Sequence, residues 1–117
     1  MKTFAGRKLG RPSGHRSLLL RNLATSLLQN EKLMTTLPRA KEVARYTEKI
    51  ITLAKGKEAV TAERRVAQKV MIKEVQKKLF EVLLPRYSAR EGGYTQLIRA
   101  GHRSGDSAPM ALVRLVP

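Results

Sequence analysis

Three side chains in one short segment are of the types that build a nucleophilic catalytic triad: His102, Ser104 and Asp106. A triad needs a nucleophile, a general base and an orienting acid that converge from separate elements of a fold. Here all three lie within five consecutive residues of a polar segment. They therefore predict a turn and no catalytic site, with Asp106 making an Asx-type bond beside Gly105.

The sequence also lacks the residues that a metal site or a nucleotide-binding loop requires. His15 and His102 are the only histidines, no acidic cluster accompanies either, and the chain has no cysteine. Gly6 and Gly10 enclose three residues, whereas a nucleotide-binding loop needs four and a Gly-Lys-Ser/Thr ending. We therefore expect no enzyme activity, no metal, no cofactor and no small-molecule substrate.

Positive charge is the dominant property of the sequence. Lysine and arginine total 24 against 9 acids in 117 residues, which gives a net charge of +15. Such an excess repels itself in a compact fold, so a folded protein that carries it normally has a polyanionic partner. Hydrophobic residues make up 42% of the chain, which is enough for a core and predicts a folded domain instead of a disordered basic tail.

The positive charge is most one-sided in the first 30 residues, which hold six basic residues and no acid. Residues 1–12 contain glycine and proline and predict an extended basic arm. Arginine outnumbers lysine over these first 30 residues, which suits bidentate phosphate contacts and stacking on unpaired bases. The candidate RNA contacts in and beside the arm are Arg7, Lys8, Arg11, His15 and Arg16. A solubilising tail is the alternative interpretation.

Two further basic clusters follow in the chain. The first comprises Lys55, Lys57, Arg64, Arg65 and Lys69. An RNA contact and an ordinary solvated surface are equally good interpretations of this cluster. The second comprises Arg90, Gly92, Gly93, Tyr94, Arg99 and Arg103. Its glycines would let an RNA backbone approach closely. Tyr94 either stacks on a base or packs in the core, and core packing is the favoured interpretation.

Hydrophobic spacing predicts the elements that must position these side chains. Leucine and alanine at helical spacing indicate a first helix that Ser13 or Gly14 caps and that ends at about Gln29. Residues 32–36 are β-branched toward their end and bounded by a turn, which predicts a strand. Pro38 is well placed at the start of a second helix, because proline fits the first helical turn.

The second half of the chain predicts two helices and a hairpin. Residues 61–70 and 72–84 indicate helices, the latter ended by Pro85 because proline cannot continue a helix. Residues 94–100 and 110–116 predict two strands joined by a long glycine- and serine-rich loop.

These elements predict an α+β, two-layer fold in which a small three-stranded sheet packs against helices. Their order is helix, strand, three helices and two strands. One domain is expected over residues 1–117, with the arm at 1–12 and a globular body at 13–117.

Membrane and DNA binding are the competing interpretations of the charge. The run Leu18-Leu19-Leu20 is broken at once by Arg21, so neither a signal peptide nor a membrane span is predicted, and the cytoplasm is the default location. An organelle location stays open, because the first 30 residues hold arginine and serine but no acid. The two helices at 61–70 and 72–84 resemble a helix-turn-helix of a DNA-binding protein, but lack a clean glycine turn between them. An interaction protein for acidic partners is a third possibility.

Eight segments, in matching order and spacing, resemble the bacterial large-subunit ribosomal protein seventeen family. They are residues 6–9 (GRKL), 15–16 (HR), 21–22 (RN), 35–42 (TTLPRAKE), 51–55 (ITLAK), 84–87 (LPRY), 92–95 (GGYT) and 105–111 (GDSAPMA). The resemblance implies a two-layer fold with a three-stranded sheet and a place in the large subunit near the exit of the peptide tunnel. It also implies large-subunit rRNA and neighbouring ribosomal proteins as partners.

Carried over position by position, the resemblance implies a set of RNA contacts in this chain. They are Arg7, Lys8, Arg11, His15, Arg16 and Arg21, then Arg90, Gly93, Tyr94 and Arg103. The chain departs from the family pattern at Lys2-Thr3, where an Arg-His pair is usual, at Gln96, where arginine is expected, and at Arg114, where an acid is common.

Overall fold

The computed structural model of the protein describes residues 13–56 and 58–117. The predicted arm, residues 1–12, and Lys57 lie outside the described residues. The elements, in chain order, are α1 (Ser13–Asn30), β1 (Lys32–Thr36), α2 (Leu37–Ala54), α3 (Ala59–Ala67), α4 (Lys73–Lys78), a π-helical segment (Leu79–Leu83), α5 (Leu84–Tyr87), β2 (Thr95–His102) and β3 (Pro109–Leu115). This order confirms the predicted α+β fold with a small sheet.

The three strands form one antiparallel sheet in the order β1-β3-β2. Alternate residues of β3 are buried (Ala111, Val113 and Leu115), so this face of the sheet packs on the helices. On the opposite face Met34, Leu112 and Ile98 lie side by side across the strands. The sheet therefore has one face in the core and one outer face.

Most of the core consists of aliphatic side chains from the helices. Leu27 and Leu28 of α1, Ile50 and Ile51 of α2 and Leu79 of the π-helical segment are fully buried. Each comes from the apolar stripe of its helix, where residues three and four apart share a face. Replacing any of these leucines by alanine is expected to cost about 2–5 kcal/mol of stability.

The prediction that Pro85 ends the fourth helix is wrong. The helix runs on through Pro85 to Tyr87, and the turn before it widens into the π-helical segment. There the backbone N–H of Leu84 donates to the carbonyl of Leu79, five residues earlier. A proline ring clashes with the carbonyl four residues before it in a regular helix, and an extra residue in the turn relieves that clash.

An ion-pair network fixes the turn between α1 and β1. Glu31 adopts a left-handed φ of 62° and its carbonyl accepts the N–H of Leu115 at 2.9 Å. Its carboxylate accepts hydrogen bonds from Arg86 and, at 3.4 Å, from Lys78. The bond from Arg86, helped by the charge of Lys78, lowers the pKa of Glu31 below its ordinary value. The network joins the helix that carries Pro85 to the first strand.

Candidate nucleic-acid interface

The first helix carries positive charge without any compensating acid. Its 18 residues contain no aspartate or glutamate, while His15, Arg16 and Arg21 lie along it. The N-terminus of a helix is its positive end, so cations there destabilise the helix unless an anion is near. His15 is exposed and Arg16 is half-buried with an intramolecular interaction of its own. The predicted contacts Arg7, Lys8 and Arg11 precede this helix and lie outside the described residues.

Arg21 is drawn into the protein. Its Nε is buried without a hydrogen-bond acceptor among the described residues, and its guanidinium lies near enough to the hydroxyl of Tyr46 on α2 to affect the pKa of that group. Burial raises the pKa of Tyr46, and the positive charge of Arg21 opposes that rise. Nζ of Lys69 lies 5.3 Å from the centroid of the Tyr46 ring. Arg21 therefore links α1 to α2 as well as adding charge.

The expected base contact of Tyr94 needs correction. Only 3% of the side chain is exposed, and its ring packs against that of Tyr87 at a centroid distance of 5.2 Å. Its hydroxyl donates to the carbonyl of Arg90 at 3.1 Å and accepts from Nζ of Lys55 at 2.8 Å. Because the side chain is almost fully buried, Tyr94 packs in the core and its ring is not open to a stacked base in this conformation. Core packing, the favoured of the two interpretations, is confirmed.

Lys55 makes structural contacts that its position in a basic cluster did not predict. Its ammonium group lies 4.7 Å from the ring centroid of Tyr94 and donates to the carbonyl of Arg90. It therefore ties the C-terminal end of α2 to the loop at residues 88–94. Lys55 is separated from Tyr94 by 39 positions in the chain, so no local pattern indicates this contact.

The glycine loop before β2 is shaped by Arg90. Nε of Arg90 donates to the carbonyls of Gly92 and Gly93, both at 3.1 Å. Gly93 has a φ of 61°, a conformation that side chains with a Cβ rarely adopt. Gly92 and Gly93 are exposed, and the guanidinium of Arg90 lies beside Gly93.

Arg103 is not brought together with this loop. It follows β2 whereas Gly93 precedes it, and eight residues of strand span on the order of 25 Å. At the hairpin loop Arg103 makes a bidentate ion pair with Asp106, with Nε–Oδ1 and Nη2–Oδ2 distances of 3.0 and 2.6 Å. Asp106 also accepts the N–H of Ala108 at 3.1 Å, which confirms the predicted Asx-type turn. The bond from Arg103 lowers the pKa of Asp106 to about 2.

Two cations that the sequence pattern did not indicate lie on one face of α2. Arg45 and Lys49 form no hydrogen bond or ion pair with any residue in the described ranges. Together with Thr52 they follow the spacing of one helix face, which is the sequence signal for a shared surface. This spacing did not indicate a binding surface in the sequence, because Glu42 and Glu48 on the same helix suggest an ordinary solvated surface.

Within the described ranges, no group of three or more acidic or histidine side chains is placed to hold a metal ion. In the same residues no helix has the length and apolar character needed to cross a membrane.

Comparison with known proteins gives one consistent family. The family model for ribosomal protein L17 matches residues 19–116. Large ribosomal subunit protein bL17 of Endomicrobium trichonymphae is 49% identical over 116 residues, covering 99% of this chain and 98% of that protein. The protein of the same name from Desulfitobacterium hafniense (strain DSM 10664 / DCB-2) is 52% identical, with 97% and 100% covered. The chain belongs to the ribosomal protein L17 family.

Proposed function

We propose that this protein is a non-catalytic structural constituent of the large ribosomal subunit that binds and stabilises large-subunit rRNA near the exit of the peptide tunnel. The two relatives reported above are both named large ribosomal subunit protein bL17. The observation that carries the RNA-binding part is the acid-free leading segment of the chain. Residues 1–30 hold six basic residues and no acid, and the described part of this segment forms a helix whose positive end follows the arm.

The docking mechanism that fits this charge is phosphate contact by the arm and the start of α1. Arg7, Lys8 and Arg11 of the arm, with His15 and Arg16 of the helix, would follow the RNA backbone, where basic side chains and helix N-termini contact phosphates. Structured RNA is recognised largely by shape and by unpaired bases, so base-specific contacts are expected to be few. The tunnel-exit location rests on the family resemblance alone.

In the second half of the chain the proposed contacts are fewer than the sequence indicates. Arg90 and the backbone of Gly93 are exposed and remain in the proposed interface. Tyr94 supports this loop from inside the core. Arg103 is exposed, but Asp106 neutralises much of its charge, so its contribution to RNA binding should be small.

The outer face of the sheet fits a protein neighbour better than RNA. Met34 is 53% exposed and Ile98 37% exposed, and with half-buried Leu112 they form an apolar row across all three strands. No aromatic side chain lies in this row to stack on a base. Exposed apolar rows of this kind mark protein contacts, and a neighbouring ribosomal protein is the proposed partner.

Sedimentation provides the test of the assignment. The protein in a cell lysate is expected to sediment with the large ribosomal subunit and to be released when RNA is digested by nuclease. Complexes that survive nuclease would instead indicate an acidic protein partner.

Purified components test the mechanism. If roughly six to ten phosphates are neutralised, affinity for large-subunit rRNA should fall about 10³–10⁵-fold between about 50 and 200 mM salt. Preference for duplex DNA over rRNA at fixed salt would favour a DNA-binding protein, and an affinity that hardly changes with salt would contradict phosphate binding.

A further inference from the structure

A groove of about 550 Å³ lies between α2 and the residues that follow α3. Its lining residues are Arg45, Glu48, Lys49, Thr52, Leu53 and Lys69. Arg45, Lys49 and Thr52 come from one side of α2, because residues three and four apart share a helix face. Lys69 comes from the turn after α3, where its N–H donates to the carbonyl of Val66 at 2.9 Å. The groove is thus formed by one face of α2 and the turn after α3.

The charge around this groove is unbalanced. Arg45 and Lys49 have no polar partner in the parts of the chain that the structure describes, and the ammonium of Lys69 rests on the ring of Tyr46. The one carboxylate, Glu48, is turned toward the sheet. Its Oε1 accepts hydrogen bonds from the hydroxyl of Thr95 at 2.7 Å and from the N–H of Thr95 at 3.3 Å. Three cations therefore face a space in which one acid is already engaged.

The walls of the groove are largely carbon. Leu53 and the methyl group of Thr52 contribute to them, and the hydroxyl of Thr52 is bonded back to the carbonyl of Glu48 at 3.0 Å. The long stems of lysine and arginine also cover apolar surface while their charged ends reach solvent. A ligand that fits must combine a flat apolar body with negative charge at its edge. The volume of the groove falls in the usual range for small-molecule sites, about 300–1,000 Å³.

We propose that this groove holds one unstacked nucleotide of RNA, with the base against the carbon walls and the flanking phosphates on Arg45, Lys49 and Lys69. The inference rests on the proposed RNA-binding function and names a site for it outside the arm. Unpaired bases in RNA loops are the groups that proteins take up in this way. A second copy of this chain is a poor occupant, because its own net charge of +15 would be repelled by the three cations.

The test uses the full-length protein and two end-labelled RNA analogues with equal numbers of phosphates. One consists entirely of abasic ribose units, and the other has a single adenine at its centre. Fluorescence anisotropy at fixed salt is expected to show about tenfold tighter binding of the single-base analogue, as burial of roughly 60 Å² of apolar base surface implies.

Two variants at one exposed position make the test specific. Thr52→Leu adds aliphatic bulk to the groove without changing the charge and without adding a ring on which a base could stack, and should lower affinity for the single-base analogue to that for the abasic one. Thr52→Val removes the same hydroxyl but keeps the groove open, so the preference should persist.

Three other outcomes would overturn the nucleotide site, and one of them would also contradict the proposed function. Equal binding of both analogues by the unchanged protein, with normal salt dependence, would overturn the nucleotide site and leave the proposed function intact. Binding of neither analogue, together with no binding of rRNA, would contradict both. Displacement of the single-base analogue by a hexaglutamate peptide at equal charge would mean that the groove recognises carboxylates, and would also overturn the site.

Discussion

Two basic regions of this protein carry similar charge in very different surroundings. In residues 86–117 four of the five arginines have internal partners. Arg86 binds Glu31, Arg90 binds the carbonyls of its own glycine loop, Arg103 binds Asp106, and Arg114 binds Gln96 at 2.7 Å. At the groove between α2 and α3, Arg45 and Lys49 have none within the described residues.

The comparison teaches that positive charge alone does not identify a binding surface. A guanidinium that already donates to a carboxylate or carbonyl has fewer donors left for a phosphate, and its charge is partly neutralised. A cation without an internal partner retains both. We therefore expect the arginines that have such internal partners (the tied arginines) to stabilise the fold, and the untied cations and the arm to bind RNA. Arg90 is expected to do both, because the bonds to its own exposed loop use only its Nε.

Removal of residues 1–12 should have the largest effect. The deletion removes Lys2, Arg7, Lys8 and Arg11. Loss of about four phosphate contacts should weaken rRNA affinity by about 10³-fold near 100 mM salt. Filter binding measures the loss, and circular dichroism should show unchanged helix content. A loss of helix content would mean that the arm is part of the fold.

Tyr94→Phe should separate folding from binding. The variant keeps the buried ring but loses the hydroxyl bonds to Lys55 and Arg90, which should lower the free energy of unfolding by about 1–2 kcal/mol. Urea denaturation measures this change. Affinity for rRNA, corrected for the folded fraction, should change by less than about twofold. A large loss of affinity at unchanged stability would restore a direct RNA contact for the hydroxyl of Tyr94.

Glu31→Gln should have a smaller effect on stability. It breaks the ion pairs with Arg86 and Lys78 at a surface position, and is expected to cost about 0.5–1 kcal/mol. Because the pKa of Glu31 is lowered by folding, its contribution is present above its ordinary value of 4.5 and is lost as pH falls through the lower folded value. The difference in unfolding free energy between the two proteins should therefore shrink below about pH 4. Glu91→Gln, at an exposed acid of the neighbouring loop, is the matched control and should leave stability unchanged at every pH.

Loss of the ion pair between Asp106 and Arg103 should have the smallest effect, which is confined to the hairpin loop. Its pKa of about 2 means that the ion pair with Arg103 persists at neutral and mildly acidic pH and opens only as pH falls toward 2. The carboxyl carbon shift of Asp106 followed by NMR should titrate near pH 2. In Arg103→Gln the midpoint should return toward the ordinary value of 3.8, since the bond from Arg103 is the main cause of the shift. An unchanged midpoint would show that the turn itself lowers the pKa.

Sequence patterns predicted the order of elements because those patterns are local. Helical spacing of leucines, proline at the start of α2 and glycine before β2 each act within a few residues. The exception was also local: Pro85 obeys the usual rule only when the preceding turn is regular, and here that turn is π-helical.

The internal contacts of the candidate site residues were not predicted, because they join distant segments. Arg86 meets Glu31 across 55 positions and Lys55 meets Tyr94 across 39. Nothing in the spacing of single residues reveals that these cations are tied. Gln96 and Arg114, two departures from the family pattern, prove to be direct neighbours across β2 and β3. The groove likewise exists only once α2 and the turn after α3 are packed together.

The salt dependence of rRNA binding in two double variants tests the division between tied and untied cations most directly. Arg45→Gln with Lys49→Gln should reduce the slope of log affinity against log salt by about 1.5, as expected for two lost phosphate contacts. Arg103→Gln with Arg114→Gln removes the same charge from tied positions and should leave the slope nearly unchanged. Equal reductions in both variants would show that net charge alone governs binding, and would contradict the account.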